Sequence, residues 1–343
     1  MQLPERQKNI LAAVAELFMQ TGEPVGSKAV CDYIGNSCST ATIRNEMAEL
    51  IEKGFLMQPH TSAGRIPSGA GYRFYLENSL TIEPLDERDK RKIESMMPVF
   101  SYDIEKFIFD VGTVLANLTN CVSVVTTPYD INTSIKRIEL IPMSSRLNVL
   151  AVLTSYDVMK SCVCKTDTPI YTDGMEIFIK AANDEFCNIP INSISPAKIQ
   201  SFISKFAMYS LAFAPLMEAL HKVLKEIADP KIKIDGQSNL LFHRDFTTAD
   251  VRGILGFLSD SDNIAYLLDS SDAEVSVLFG NETDRDAIKD TSLVTAEYYM
   301  SDSNSGKIGV LGPIRMDYSR ILPTIKYLAH LTEMRVKNSM MSI

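Results

Sequence analysis

The sequence has no run of about eighteen apolar residues that would span a bilayer, and no basic-plus-apolar leader at its start. A cytoplasmic protein with no membrane partner is the expectation. It also lacks a basic balance: 34 Lys and Arg stand against 43 Asp and Glu, a formal charge of −9. Any attraction to nucleic acid therefore has to come from an arranged patch rather than the overall field. No G-x-G-x-x-G, P-loop or nucleophile elbow occurs at a strand-helix junction, which removes the usual phosphate cradles and acyl-transfer sites. The four histidines, His60, His221, His243 and His330, show no spacing for a metal set or a catalytic base. Six cysteines are scattered through elements that read as helix or strand, and only Cys162 and Cys164 are close. In a strand they share a face, which leaves a metal pair or two reduced thiols, the second favoured without a further pair or a nearby His. The expectation is a non-enzyme with no catalytic residue, cofactor or metal.

What is present is concentrated near the start. In Thr40-Ala41-Thr42-Ile43-Arg44-Asn45-Glu46-Met47, the residues Ile43, Met47 and Leu50 recur at i, i+4, i+7 and form one stripe of a helix. At about 100° per residue, Ala41 and Asn45 point away from that stripe, with Thr42 and Glu49 on one flank and Arg44 on the other. Ser39 suits the N-cap. Such a face suits base edges: Asn can bond adenine bidentately, Ala and Thr can touch a thymine methyl, and Arg can take guanine or phosphate. Taken alone, a solvated surface helix explains it as well.

The neighbours give it context. Glu5 to Gln20 reads as an amphipathic helix on Ile10, Val14, Leu17 and Phe18, ended by Thr21-Gly22-Glu23-Pro24. Ser27 to Tyr33 reads as a second helix, and Gly35-Asn36 as the turn before the third, the order of a helix-turn-helix. Gly54 closes the third helix. Phe55 to Gln58 reads as a short strand, and His60 to Pro67 as a tight loop with Gly64 at its tip and Arg65 aimed at phosphate or a minor groove. Residues 54–76 carry no acid, and Arg65 and Arg73 make the stretch positive. The candidate DNA-binding set is Ser39, Thr40, Ala41, Thr42, Arg44, Asn45, His60, Thr61, Ser62, Arg65 and Arg73.

The blocks Gly22-Glu23-Pro24-Val25-Gly26-Ser27-Lys28, Ala41 through Leu50, Gln58 through Pro67 and Gly71-Tyr72-Arg73-Phe74-Tyr75 resemble the heat-inducible transcription repressor HrcA family. Gly309 through Tyr318 resembles the family's C-terminal signature. Asn36-Ser37-Cys38-Ser39 and Ser68-Gly69-Ala70 depart from the family pattern. The resemblance implies an N-terminal winged helix-turn-helix, then a GAF-like domain split by an inserted dimerisation domain. It further implies a homodimer on an inverted-repeat operator of chaperone operons, released on heat stress, with a GroEL-type chaperonin as partner.

The rest of the chain reads as α+β and multidomain. Residues 1–80 form the DNA-binding domain, and 81–98, dense in charge, a linker. Residues 99–170 and 270–343 supply a split α+β domain around a helix-rich insert, 171–269. Strands are expected at 121–126, 138–141, 147–155, 158–165, 231–234, 275–279, 293–298 and 308–311. Helices are expected at 72–80, 103–120, 174–188, 196–228, 248–268 and 318–336, with Pro190 and Pro215 as interruptions. Arg315 and Asp317 pair with each other or pin the N-terminal domain. Gly280-Asn281-Glu282 and Gly309 through Pro313 make tight turns or admit a ligand, so the rival reading is a metabolite-responsive regulator with an effector in the split domain.

Overall fold

Residues 3–35, 38–60, 63–100, 103–130, 133–155, 159–166, 172–206, 210–228, 230–269, 273–300 and 304–340 are described by a computed structural model. The architecture is α+β, and the chain packs as two compact units. The first comprises Met1–Val125, Ile232–Tyr298 and Lys307–Ile343; the second comprises Thr126–Lys231 and Tyr299–Gly306.

The first unit begins with three helices, α1 (Glu5–Thr21), α2 (Ser27–Tyr33) and α3 (Thr40–Glu52). Each turns one apolar stripe inward, so Ile10, Val14, Val30, Ile43 and Leu50 are fully buried together. Gly22 ends α1 in the left-handed region at φ 71°, which a side chain would resist. A two-stranded hairpin, β1 (Leu56–Met57) and β2 (Ile66–Pro67), follows, then α4 (Gly69–Asn78). Gly71 lets α4 approach the hairpin, because a Cβ there would lie 2.0 Å from the Phe55 carbonyl oxygen. The charged run expected as a linker is in part a helix, α5 (Glu87–Met96), capped by Asp86 and burying Ile93.

The same unit contains a larger sheet built from β3 (Val122–Thr126), β8 (Ile232–Asp235), β9 (Val275–Phe279), β10 (Thr291–Tyr299) and β11 (Asn304–Pro313), in the order β8-β3-β11-β10-β9. Alternation along β3 sends Val122 and Val124 into a core with α10 (Thr248–Leu258) and α11 (Ser261–Asp269). Its other residues, Ser123 and Val125, face Gly112 of α6 (Ile104–Thr119). Helix α12 (Tyr318–Met340) packs on α6 and α5. A sheet with helices on both faces is the result.

The second unit has a three-stranded antiparallel sheet, β5 (Ile135–Pro142), β6 (Leu147–Thr154) and β7 (Met159–Lys165), beside α7 (Thr172–Phe186), α8 (Pro196–Lys205) and α9 (Ser210–Ala228). A short β4 (Tyr129–Asp130) pairs with the start of β11. Ile138, Leu150 and Val152 meet Phe178, Phe186, Phe202 and Phe213 in one core. The opposite sheet face is open and mixed: Ile141, Val149 and Val163 share a cross-strand row, Leu153 and Met159 share another with Arg137, the exposed Arg137 and Glu139 pair on the same face, and Met159 is 67% and Val163 63% exposed.

Two expectations change. The strands at 135–165, expected in the split domain, form the sheet of the inserted unit, whereas residues 232–269, expected in the insert, build the core of the split one. The boundary follows which apolar faces meet, and the composition change near residue 171 only marks a strand-to-helix transition inside the insert. Pro215 does not interrupt its helix either: it lies inside α9, and the helix runs on past it to Ala228.

Candidate nucleic-acid interface

Helix α3 starts at Ser39, whose hydroxyl accepts from the Thr42 backbone N–H at 3.1 Å and contacts the Thr42 hydroxyl at 2.9 Å. It ends at Lys53, with Gly54 at φ 79° turning the chain into β1. Ile43, Met47 and Leu50 are buried, while Thr40, Ala41, Arg44 and Asn45 are exposed and Thr42 is half-buried. The outward face is the expected one.

A polar clip fixes how α3 lies on α1, and the sequence reading missed it. Gln7, buried on α1, donates through Nε2 to Glu46 at 2.8 Å and to Glu49 at 2.8 Å, and its Oε1 accepts from Lys53 at 2.7 Å. Arg6 pairs with Glu46 from the solvent side. The Gln7 amide, with help from Arg6, holds the Glu46 carboxyl below its ordinary value against the opposing effect of burial. Periodicity did carry a signal: Gln7-Ile10-Val14 and Ile43-Glu46-Leu50 are each spaced i, i+3, i+7, so both polar residues fall on buried stripes. Glu16 makes a second tie, accepting from Tyr33 of α2 at 2.6 Å and from Tyr75 of α4 at 3.2 Å. That bond pushes the Tyr33 hydroxyl up to about 12.

The hairpin pairs Leu56 with Pro67 and Met57 with Ile66. Its base is anchored to the segment after α1, where Val25 and Arg65 exchange both backbone bonds at 2.8 Å. Gly64 is therefore not the tip. Its backbone lies against Pro24, and a Cβ would fall 2.5 Å from that carbonyl oxygen. The turn itself comes earlier, around exposed His60, where the Ala63 N–H bonds the His60 carbonyl at 2.9 Å. Thr61 and Ser62 lie outside the described residues.

The two arginines depart from expectation. Arg65 is half-buried and curls back: Nη1 donates to the Ala63 carbonyl at 3.1 Å, and Nε is buried without a hydrogen-bond partner. Arg73 donates from Nε to Glu282 at 3.0 Å and from Nη2 to the Val277 carbonyl at 2.8 Å, and it stacks on Phe279 at 4.9 Å. Its Nε and Nη2 donors are taken within the chain because α4 turns this residue toward β9. Arg315 pairs with Asp245 and not with Asp317, which instead caps α12 by accepting from Ser319 at 2.5 Å and from the Arg320 N–H at 3.3 Å. Gly280 serves close backbone packing, since a Cβ there would lie 1.7 Å from the Ile288 carbonyl oxygen. A cavity of about 300 Å³ is bordered by Asn120, His243, Asp245 and Arg315. Within it, His243 bonds the Asn120 carbonyl at 2.9 Å and Arg315 pairs with Asp245.

Comparison with known proteins covers most of the chain. The family model described as HrcA protein C terminal domain matches residues 105–322. The heat-inducible transcription repressor HrcA of Syntrophobacter fumaroxidans is 30% identical, with 96% of each chain covered. That of Clostridioides difficile is 31% identical, covering 96% of this chain and 99% of its own. A crystal structure of a hypothetical protein matches 98% of this chain and 100% of its own at a TM-score of 0.59 and 23% identity, a likeness of fold. No helix among the described residues is long and apolar enough to cross a membrane. The chain thus belongs to the HrcA family of heat-inducible transcription repressors, and its work is regulation of transcription rather than catalysis.

Proposed function

We propose that the N-terminal part is a winged helix-turn-helix that binds DNA, with α3 reading the major groove and the β1-β2 turn lying on the adjacent backbone or minor groove. The observation that carries it is the face of α3: Thr40, Ala41, Arg44 and Asn45 stand exposed opposite a fully buried stripe, at a helix start capped by Ser39. The interface is Ser39, Thr40, Ala41, Thr42, Arg44, Asn45, His60, Thr61, Ser62 and Arg65. Arg73 is left out because its Nε and Nη2 are held by Glu282 and the Val277 carbonyl.

One such head contacts few base pairs, so specificity calls for two. The second unit acts as the dimerisation domain inserted in a GAF-like sheet, and its open face of Ile141, Val149, Val163, Leu153 and Met159 suits a second copy of the same surface. The dimer reads an inverted-repeat operator of chaperone operons and leaves it on heat stress, with a GroEL-type chaperonin supporting the active form.

The test is fluorescence anisotropy at fixed near-physiological salt. It compares an inverted repeat from upstream of a chaperonin operon with a version that has one half-site scrambled, each with and without chaperonin. Scrambling should weaken binding by about a thousandfold or more, the scale of specific over non-specific affinity. Equal weak binding to both DNAs in either condition would defeat the proposal.

A further inference from the structure

Two arginines tie the N-terminal helices to the split sheet within the first unit, one through α4 and one at the end of α1. On α4, Arg73 pairs with Glu282, bonds the Val277 carbonyl at 2.8 Å and lies over Phe279. After β11, Arg315 pairs with Asp245 and donates from Nη1 to the Met19 carbonyl at 3.3 Å, in the last turn of α1. Its guanidinium also rests on the αL glycine that ends α1, 3.2 Å from where a Gly22 Cβ would stand. Between these contacts, buried Tyr72 packs its ring 6.1 Å from Phe279 and 6.4 Å from Tyr318. Gly69 sits so close to the Asn281 side chain that a Cβ would fall 2.0 Å away. Both α1 and α4 are therefore held, one at each arginine.

The covalent connection does not do this. Residues 80–86, between α4 and α5, have neither helix nor strand, and a coil of that length leaves orientation open. A head held only by that coil would sample many angles. In a dimer, the second head finds its half-site at high effective concentration only when the geometry matches, and a loose head trades that peak for tolerance of many spacings.

We propose that Arg73 and Arg315, with their partners Glu282 and Asp245, are positioning residues that fix the angle at which α3 is presented. The dimer is thereby restricted to one separation of the two half-sites. The proposal rests on the DNA-binding reading above. The latch touches neither α3 nor the β1-β2 turn, so it sets the geometry of binding and leaves the contacts of a single head unchanged.

The experiment measures full-length protein on three kinds of DNA: a single half-site, the natural inverted repeat, and repeats whose spacer is shortened or lengthened by one to five base pairs. Glu282→Arg and Asp245→Arg break one pair each, and Glu282→Arg combined with Arg73→Glu reverses and restores the first. The single reversals should leave half-site affinity within about twofold, lower affinity at the natural spacing by about tenfold or more, and flatten the dependence on spacer length. The double reversal restores the charge pair but not the Val277 and Phe279 contacts, so it should recover the spacing optimum in part, which a misfolded variant would not do. An unchanged spacing profile in both single variants would overturn the proposal. So would a rise in affinity at the natural spacing, since the latch would then be holding the heads off DNA. If the unaltered protein fails to prefer a half-site over random DNA, the DNA-binding reading falls and takes the latch with it, whereas half-site preference with an unaltered profile removes the latch alone.

Discussion

Asn45 and Glu46 are adjacent on α3 and have opposite fates. Asn45 is exposed, and in the proposed interface it bonds a base edge, so Asn45→Ala should cost about 1–3 kcal/mol on the operator and relax preference at one base pair. Anisotropy on operator and random DNA checks this, and equal weakening on both would reassign Asn45 to the phosphate backbone. Glu46 is buried and held by Gln7 and Arg6. Its carboxyl titrates below the ordinary 4.5 in the folded chain. The stabilisation from its charged form is thus complete above that value and is lost as pH falls through the lower folded value. Unfolding followed between pH 7 and pH 3 should show a smaller loss of stability for Glu46→Gln than for the unaltered protein; parallel curves would place the acid sensitivity in other carboxylates. Asn45 was legible because its position follows from rotation about one helix. The Gln7 clip was not, because polar residues on an apolar stripe gain meaning only when another helix supplies their partners.

The hairpin shows what spacing can and cannot say about an element. The first strand and the closeness of Arg65 to a glycine were readable from residues 55–67, whereas the place of the turn and the returning strand at Ile66–Pro67 were not. The reason for that glycine was not. Gly64 lies against Pro24 with no room for a Cβ, and its φ is not among the positive ones of the described residues. Gly64→Ala should therefore pull the hairpin from the Val25 bridge, lowering the melting temperature by several degrees if the loss is about 1–2 kcal/mol. Hydrogen exchange at the Val25 and Arg65 amides would report it, and unaltered protection would show that the bridge tolerates a methyl group. Helix α9 makes the complementary point. Proline chemistry suggested a break at Pro215, but the lost backbone bond is offset by the apolar stripe that continues beyond it, burying Leu216, Leu220 and Val223.

At the scale of the molecule, the proposed function depends on how two copies meet. The open sheet face of the second unit carries Val163 at 63% exposure beside Val149 and Ile141. Placing a charge in that row, Val163→Asp, should raise the dimer dissociation constant by about tenfold or more, because an unpaired carboxylate would be buried at the centre of the contact. Sedimentation velocity over a concentration series checks this, and an unmoved monomer-dimer equilibrium would place the dimer contact on another surface. The strand face is on the inserted unit and the reading helices are on the other, so this substitution also asks whether operator affinity falls with dimerisation while half-site affinity stays.

The sequence by itself determined the local elements and the identity of the family. Helix and strand periods, the cap at Ser39, and the glycines ending α1 and α3 depend on neighbours within a few residues, and the family blocks are contiguous. Only the tertiary structure decided the domain division, the clip through Gln7 and the fate of Arg73. Each of these depends on which apolar faces close over one another. Arg73 meets Glu282 across 209 positions of chain, a separation at which no local pattern distinguishes a cation that reaches DNA from one that is held by its own fold.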